Sequence, residues 1–305
     1  MDRSKRCLFI VCAMSWGLIG GSHALGLKWE GLNMMLLGMV LMWIPGGVVL
    51  VMERRDSPGR VRERLGLQFS WNSWWLMAWL IAPAITMVSM GFSLMLPEHV
   101  WLVDPSVIID QLGGAMTPED REMAVEQIEN LPLPLTWLQL ISGLTSGGLM
   151  TAFFALGEEI CWRGFLDREA DGQGWGFWKS SVVIGAIWGL WHWPVIVQGH
   201  NWPTHPYLGV LLMMVFCMGM GPIFTFVTRM TGSVFAAALA HGTLNATAAI
   251  PLLSISGGSD LTVGITSFVG LTLIALVNLA MIPLVKKHRA RLDGFWTKQV
   301  LLGEV

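Results

Sequence analysis

Long apolar runs separated by short polar segments dominate the pattern of the chain. An α-helix needs about 17–25 mostly apolar residues to cross the hydrocarbon core of a membrane. The pattern therefore predicts an all-α, polytopic membrane protein: one integral-membrane domain over residues 1–305 with eight transmembrane helices. The eight runs cover about residues 8–27, 31–52, 72–96, 136–157, 179–198, 207–228, 233–252 and 263–285.

The Lys and Arg residues are unevenly distributed between the two sides of these runs. If the N-terminus lies in the cytoplasm, 17 of the 19 Lys and Arg residues fall in cytoplasmic segments, and only Lys28 and Arg121 fall outside. Cytoplasmic loops of membrane proteins are enriched in Lys and Arg. Both termini are therefore predicted to be cytoplasmic, including the basic tail from Lys286 to Lys298.

The longest segment on the other side, the external loop 97–135, is acidic. Its sequence Thr117-Pro118-Glu119-Asp120 is a typical helix start, with a capping residue, a proline at the first position and acids in the first turn. A small external helix over the mouth of the bundle is one interpretation. A charged, solvated loop is the other, and it is favoured because runs of charged residues are usually solvated.

The composition agrees with a membrane protein and excludes several other classes. The chain is 53% hydrophobic and 13% charged, whereas soluble domains carry about 25% charged residues. The four cysteines show no C-x-x-C spacing, so they are interpreted as packing residues. No Gly-rich phosphate loop is present, and the basic clusters are interpreted as topology signals, so nucleic acids are not expected as partners. Membrane lipids are expected as partners because the chain is predicted to span the membrane. The lack of an internal repeat argues against a transporter built from inverted repeats.

Few ionisable residues lie within the apolar runs, and those few are candidates for function. A charged residue at the centre of a membrane helix costs about 2.5–3.5 kcal/mol on insertion scales, so it is usually retained for a purpose. Glu158 and Glu159 close the fourth run. Arg163 follows Glu159 by four residues, the favourable order for a helical ion pair. Glu158 is left without a local counter-charge.

Two further runs carry polar residues. The fifth contains His192, and the seventh contains His241 with Asn245 four residues later, on the same helical face. At about 1.5 Å per residue, His192 lies about 20 Å from the start of its run. Glu158, at the end of the run 136–157, would lie at a shallower depth. Either the fourth helix enters the membrane more deeply, or the fifth begins before the bilayer.

These residue types can hydrolyse a peptide bond. A carboxylate such as Glu158 with a neutral His192 can bind and deprotonate water. His241 and Asn245 can supply donors for the oxyanion of a tetrahedral intermediate. No Ser, Cys or Thr shows an evident His–acid pairing, which favours attack by water over a covalent intermediate. Glu158 and His192 are also candidate ligands for a metal such as zinc, although an H-E-x-x-H motif is absent.

Three motifs together resemble the CPBP family, which includes the type II CAAX prenyl endopeptidases and the bacteriocin-processing and immunity (Abi) proteins. They are Glu158-Glu159-x-x-x-Arg163, an aromatic residue four positions before His192, and His241-x-x-x-Asn245. The resemblance implies an eight-helix intramembrane protease with a polar cavity open to the cytoplasm and a catalytic core over about 136–252. Trp188 stands where the family usually has Phe.

The resemblance also implies a role for each motif residue. Glu158 and His192 would activate the water, and His241 and Asn245 would form the oxyanion site. Glu159 and Arg163 would shape the pocket, and Trp188 would supply its aromatic wall. Whether zinc takes part is left open.

The expected substrate is a peptide or a membrane protein, with lipidation if the processing is of the CAAX type. The expected location is the plasma membrane of a bacterium or an archaeon. A non-catalytic immunity or scaffold protein that binds a peptide in the same cavity is the alternative function, and a transporter is the third.

Overall fold

The computed structural model describes residues 2–102, 104–112 and 117–297. Lys298, part of the predicted cytoplasmic tail, lies outside these residues. The described chain is almost entirely helical, which confirms the all-α fold class. Two short strands, β1 (Val100–Trp101) and β2 (Ile255–Ser256), pair antiparallel.

The helices follow the apolar runs in chain order. They are α1 (Arg3–Ala24), α2 (Gly31–Asp56), α3 (Val61–Arg64), α4 (Trp74–Ser93), α5 (Pro105–Leu112), α6 (Pro118–Glu129), α7 (Leu135–Leu144), α8 (Ser146–Glu159), a π-helical segment (Ile160–Leu166), α9 (Asp167–Gly172), α10 (Phe177–Trp191), α11 (Trp193–Ile196), α12 (Pro206–Thr231), α13 (Val234–Thr247), α14 (Ile250–Ser254), α15 (Phe268–Lys287) and α16 (Arg289–Leu292).

Six helical stretches of the described chain are long and apolar enough to span a membrane. A seventh is added if α7 and the helix that follows it, bent by 50° relative to each other, count as one span. The predicted run 179–198 is divided between α10 and the four-residue α11. A membrane-spanning helical protein is therefore confirmed, while the count of eight stays a prediction.

Segments that the charge pattern assigns to one side of the membrane contact one another. Near the predicted cytoplasmic side, Arg3 of α1 and Arg168 of α9 both donate to Glu53 of α2, at 2.8 and 2.7 Å. On the predicted external side, Ser93 at the end of α4 donates to the carbonyl oxygen of Thr262 at 2.8 Å. These contacts agree with the predicted alternation of sides. The cytoplasmic location of the termini stays a prediction.

The segment 97–135, which is predicted to be external, is more helical than expected. Its described residues form α5 and α6, whereas residues 103 and 113–116 lie outside the described chain. The Thr117 side chain caps α6 by accepting a hydrogen bond from the backbone N–H of Asp120 at 3.1 Å. The favoured interpretation of this segment as a solvated loop is therefore wrong. The capping signal at Thr117 predicted the helix correctly, whereas the general rule that charged runs form solvated loops gave the wrong prediction.

The fourth predicted run ends too early. Helix α8 continues without a break through the π-helical segment and α9 as far as Gly172, and not to residue 157. Glu158 therefore lies about 20 Å from the end of this continuous helix, and His192 lies about 20 Å from Phe177 at the start of α10. The deeper position of Glu158 removes the mismatch in depth between the two residues.

Glycines allow α8 to pack closely between its neighbours. A Cβ atom on Gly157 would lie 2.5 Å from the carbonyl oxygen of Met42 in α2. On the facing helix, a Cβ on Gly242 of α13 would lie 2.4 Å from the backbone nitrogen of Ala152. Such small-residue contacts let membrane helices approach closely. They fix the backbone that carries the two glutamates.

Candidate active site

Glu158 is a buried carboxylate held by neutral donors. It lies in the last turn of α8 and is 2% exposed. Its Oε2 accepts hydrogen bonds from the indole N–H groups of Trp162 at 3.3 Å and Trp188 at 2.7 Å. Among the described residues it forms no ion pair. As predicted, Glu158 has no counter-charge of its own, and its second oxygen, Oε1, is left for another ligand.

Glu159, the next residue, is bound on two sides. Arg163 donates to its Oε1 at 3.1 Å, and His241 donates from Nδ1 to the same oxygen at 2.8 Å. All three side chains are buried. The predicted helical ion pair of Glu159 and Arg163 is confirmed. The contact with His241 joins α8 to α13 across the bundle.

Arg163 lies in the π-helical segment, every residue of which is buried. Its guanidinium lies over the rings of Trp188 and Phe224, 4.7 and 5.1 Å from their centroids. These aromatic faces stabilise a cation where water is scarce. Phe224 also stacks on His241 at 5.6 Å. π-Helical turns occur frequently at functional sites, and this one follows the two glutamates directly.

Trp188 joins the parts of the site. Its indole donates to Glu158, its carbonyl oxygen is hydrogen-bonded to Nδ1 of His192 at 2.8 Å, and its ring packs edge-on against His241 at 5.2 Å. From the sequence it was expected only to supply an aromatic wall in place of Phe. The sequence signal for the larger role is the indole itself, since a buried Trp N–H usually finds an acceptor.

His192 terminates α10 and is partly exposed. A carbonyl oxygen can only accept, so the contact with Trp188 places a proton on Nδ1 of His192. In the neutral ring Nε2 then carries a lone pair that can accept a hydrogen bond. That is the form required to bind and orient a water molecule.

Asn245 is the one predicted site residue that the hydrogen bonds and ring contacts do not join to the others. It lies one turn beyond His241 on α13 and is exposed. The described contacts link Glu158, Glu159, Arg163, Trp188, His192 and His241 into one cluster. Trp162 and Phe224, which sequence reasoning missed, complete its walls.

The donors present do not form a full zinc site. Catalytic zinc is usually held by three protein ligands. Among the described residues, no group of three or more His, Cys, Asp or Glu side chains is arranged to hold a metal ion. Glu158 and His192, the two predicted ligands, fall one short of that number.

Fold and site together define a helical integral membrane protein with a buried cluster of carboxylates and imidazoles. A family model described as type II CAAX prenyl endopeptidase Rce1-like matches residues 137–247, a stretch that contains all three motifs. The match confirms the resemblance to the CPBP family. The family points to a protease, generally an intramembrane endopeptidase that acts on peptides. No curated protein matches the chain.

Proposed function

We propose that the protein is an intramembrane endopeptidase in which Glu158 is the general base. The observation that carries the proposal is a buried carboxylate with no cationic partner, held through one oxygen by two indole donors. Burial without a counter-ion is costly, and Glu159 beside it has Arg163 and His241 as partners. An ionisable residue without a counter-ion inside a membrane-spanning helix is by default a candidate functional residue.

The first step is attack by water. The water donates one hydrogen bond to Oε1 of Glu158 and another to Nε2 of His192. Glu158 takes a proton from the water as the water oxygen attacks the carbonyl carbon of the scissile peptide bond. A tetrahedral intermediate forms, with negative charge on the former carbonyl oxygen.

His241 and Asn245 stabilise that charge. Because Nδ1 of His241 donates to Glu159, its Nε2 can donate to the oxyanion only when the ring carries both protons. The hydrogen bond from Nδ1 to Glu159 fixes the orientation of the ring, which gives Glu159 a positioning role. The Asn245 amide is the second donor, a role for which an amide suits better than metal ligation.

Collapse of the intermediate completes the reaction. Glu158 gives its proton to the leaving nitrogen, the C–N bond breaks, and a new C-terminal carboxyl group and a free amine are formed. The substrate proposed is a peptide segment that enters the membrane. It belongs to a lipidated protein trimmed at its C-terminus, as in CAAX processing, or to a bacteriocin-type peptide.

The test compares membranes that carry the wild type, Glu158→Gln or the control Glu30→Gln. Glu30 is an exposed glutamate at the start of α2, outside the cluster. Proteomic analysis of C-terminal peptides should show products with the wild type and Glu30→Gln, and a loss of about 10²–10⁴-fold in rate with Glu158→Gln. Products from Glu158→Gln at the wild-type level would rule out Glu158 as the general base, and the absence of products from all three membranes would indicate a non-catalytic binding protein.

A chelation series on the wild type addresses zinc. Activity lost to the chelator and restored by zinc would show that the reaction requires zinc, with Glu158 and His192 as its proposed ligands. Activity that persists supports water activation by Glu158 and His192 alone.

A further inference from the structure

A groove between α1 and α2 lies apart from the catalytic cluster. It has a volume of about 310 Å³ and is lined mainly by apolar side chains, with Ile10 and Met14 from α1 and Val48 and Met52 from α2. Its walls include side chains that face outward, since Met14 is 52% and Val51 is 50% exposed. In a membrane these outward-facing residues meet lipid. The groove is therefore open to acyl chains.

Positive charge lies at one end of the groove. Arg6, in the first turns of α1, and Arg55, in the last turn of α2, both line it and are exposed. Neither arginine forms an ion pair with any other described residue. Asp56 also lines the groove, but Arg3 donates to its carboxylate at 2.8 Å. The end of the groove thus keeps two unmatched positive charges.

Neighbouring arginines are used differently. Arg3, Arg64 and Arg168 all donate to the buried carboxylate of Glu53, at 2.7–2.8 Å. They hold α1, α2 and α9 together and have little capacity for a ligand. Among the described arginines, only Arg6 and Arg55 line the groove and lack an ion-pair partner.

We propose that this groove is a binding site for an anionic phospholipid of the cytoplasmic leaflet. One acyl chain lies against the apolar walls, and the phosphate lies between the guanidinium groups of Arg6 and Arg55. Basic pockets between membrane helices on the cytoplasmic side bind anionic headgroups by this chemistry. Arginine also suits phosphate because its planar fork donates two hydrogen bonds at once.

The control variants come from the adjacent residues. Lys5 and Arg54 carry the same charges on the same two helices, are exposed, and do not line the groove. The double variant Lys5→Gln/Arg54→Gln therefore removes as much charge as Arg6→Gln/Arg55→Gln. A third variant, Gly47→Leu, fills the groove itself. No atom lies within 4 Å of a Cβ built on Gly47, so the backbone accepts the side chain.

The experiment titrates the purified protein in neutral detergent with phosphatidylglycerol or phosphatidylcholine of matched acyl chains and counts bound lipids by native mass spectrometry. The wild type should bind phosphatidylglycerol more tightly. A basic residue near an anionic lipid contributes about 1 kcal/mol, so Arg6→Gln/Arg55→Gln should weaken its binding by about 30-fold. The control pair should change it less than threefold. Gly47→Leu should weaken binding of both lipids.

Several results would overturn the proposal. They are no preference for phosphatidylglycerol in the wild type, equal losses in the two double variants, unchanged lipid binding in Gly47→Leu, and displacement of the lipid by glycerol phosphate at equal concentration. The last result would indicate a site for a soluble anion. If the arginine double variant does not fold, Gly47→Leu and the headgroup comparison in the wild type decide the question.

Discussion

The two adjacent glutamates should respond in opposite ways to the same substitution. Glu159 is the only described ion-pair partner of Arg163, and it also accepts from His241. Glu159→Gln removes the negative charge and leaves a buried guanidinium without its carboxylate. Breaking a buried ion pair by removing one partner costs about 3–5 kcal/mol. A typical domain has about 5–15 kcal/mol of stability in total, so the loss should be large.

Glu158→Gln removes a carboxylate that has no cation to lose. The amide oxygen of the new side chain can still accept from Trp162 and Trp188, and a neutral side chain is cheaper to bury. The free energy of unfolding should therefore change by less than about 1 kcal/mol, within the range of neutral substitutions. Activity should nevertheless be lost, because an amide cannot take the proton from water.

The assay is unfolding in mixed detergent micelles, followed by tryptophan fluorescence, in parallel with peptide hydrolysis. A third variant, Arg163→Met with Glu159→Gln, removes both charges of the pair and should recover part of the stability lost in Glu159→Gln. If Glu158→Gln proved as unstable as Glu159→Gln, the assignment of one glutamate to chemistry and the other to support would be refuted.

Three further substitutions test other parts of the site and the external loops. Trp188→Phe removes the shorter hydrogen bond to Glu158 and should lower kcat about 10-fold or more, since hydrogen bonds to charged groups are worth about 1.5–3 kcal/mol. In the matched control Trp191→Phe, the lost indole donates to the Ser15 hydroxyl and not to a carboxylate, so kcat should change less than threefold. Asn245→Ala should lower kcat by about 10²–10³-fold and leave KM nearly unchanged. A raised KM in steady-state kinetics would contradict the role of Asn245 as an oxyanion donor. At Asp260 burial opposes ionisation, but hydrogen bonds from Thr204 and His205 lower the pKa of the carboxyl. The ionised carboxylate therefore stabilises the fold above its ordinary pKa, and this stabilisation is lost as the pH falls through the lowered pKa. The difference in Tm between wild type and Asp260→Asn should shrink towards acid pH, and a constant difference would contradict this assignment.

Local spacing was enough to predict part of the site. The pair of Glu159 and Arg163 follows from a separation of four residues on one helix, and the lack of a partner for Glu158 follows from the same geometry. The cap of α6 by Thr117 is equally local. Such contacts depend only on residues within one turn, so the sequence contains the information directly.

Contacts between distant residues could not be predicted in this way. His241 lies 82 positions from Glu159, and Trp188 lies 30 positions from Glu158. Neither pairing has a signature in spacing. The end of the fourth span was misplaced for a related reason. Asp167 and its neighbours look like a solvated helix end, but Asp167 is fully buried and paired with Arg229 at 2.6 Å from a distant helix.

The π-helical segment sets the angle between the two ends of this helix. Glu159, before the segment, must face His241, while Asp167, after it, must face Arg229. A π turn accommodates an additional residue within an α-helix. Deleting one residue between Ile160 and Leu166 would restore a regular α-helix and leave both ends facing their partners, whereas adding one would rotate one end by about 100° relative to the other. After such an addition either the two glutamates or the salt bridge at the far end would point the wrong way, so this stretch should tolerate a single-residue deletion better than a single-residue insertion.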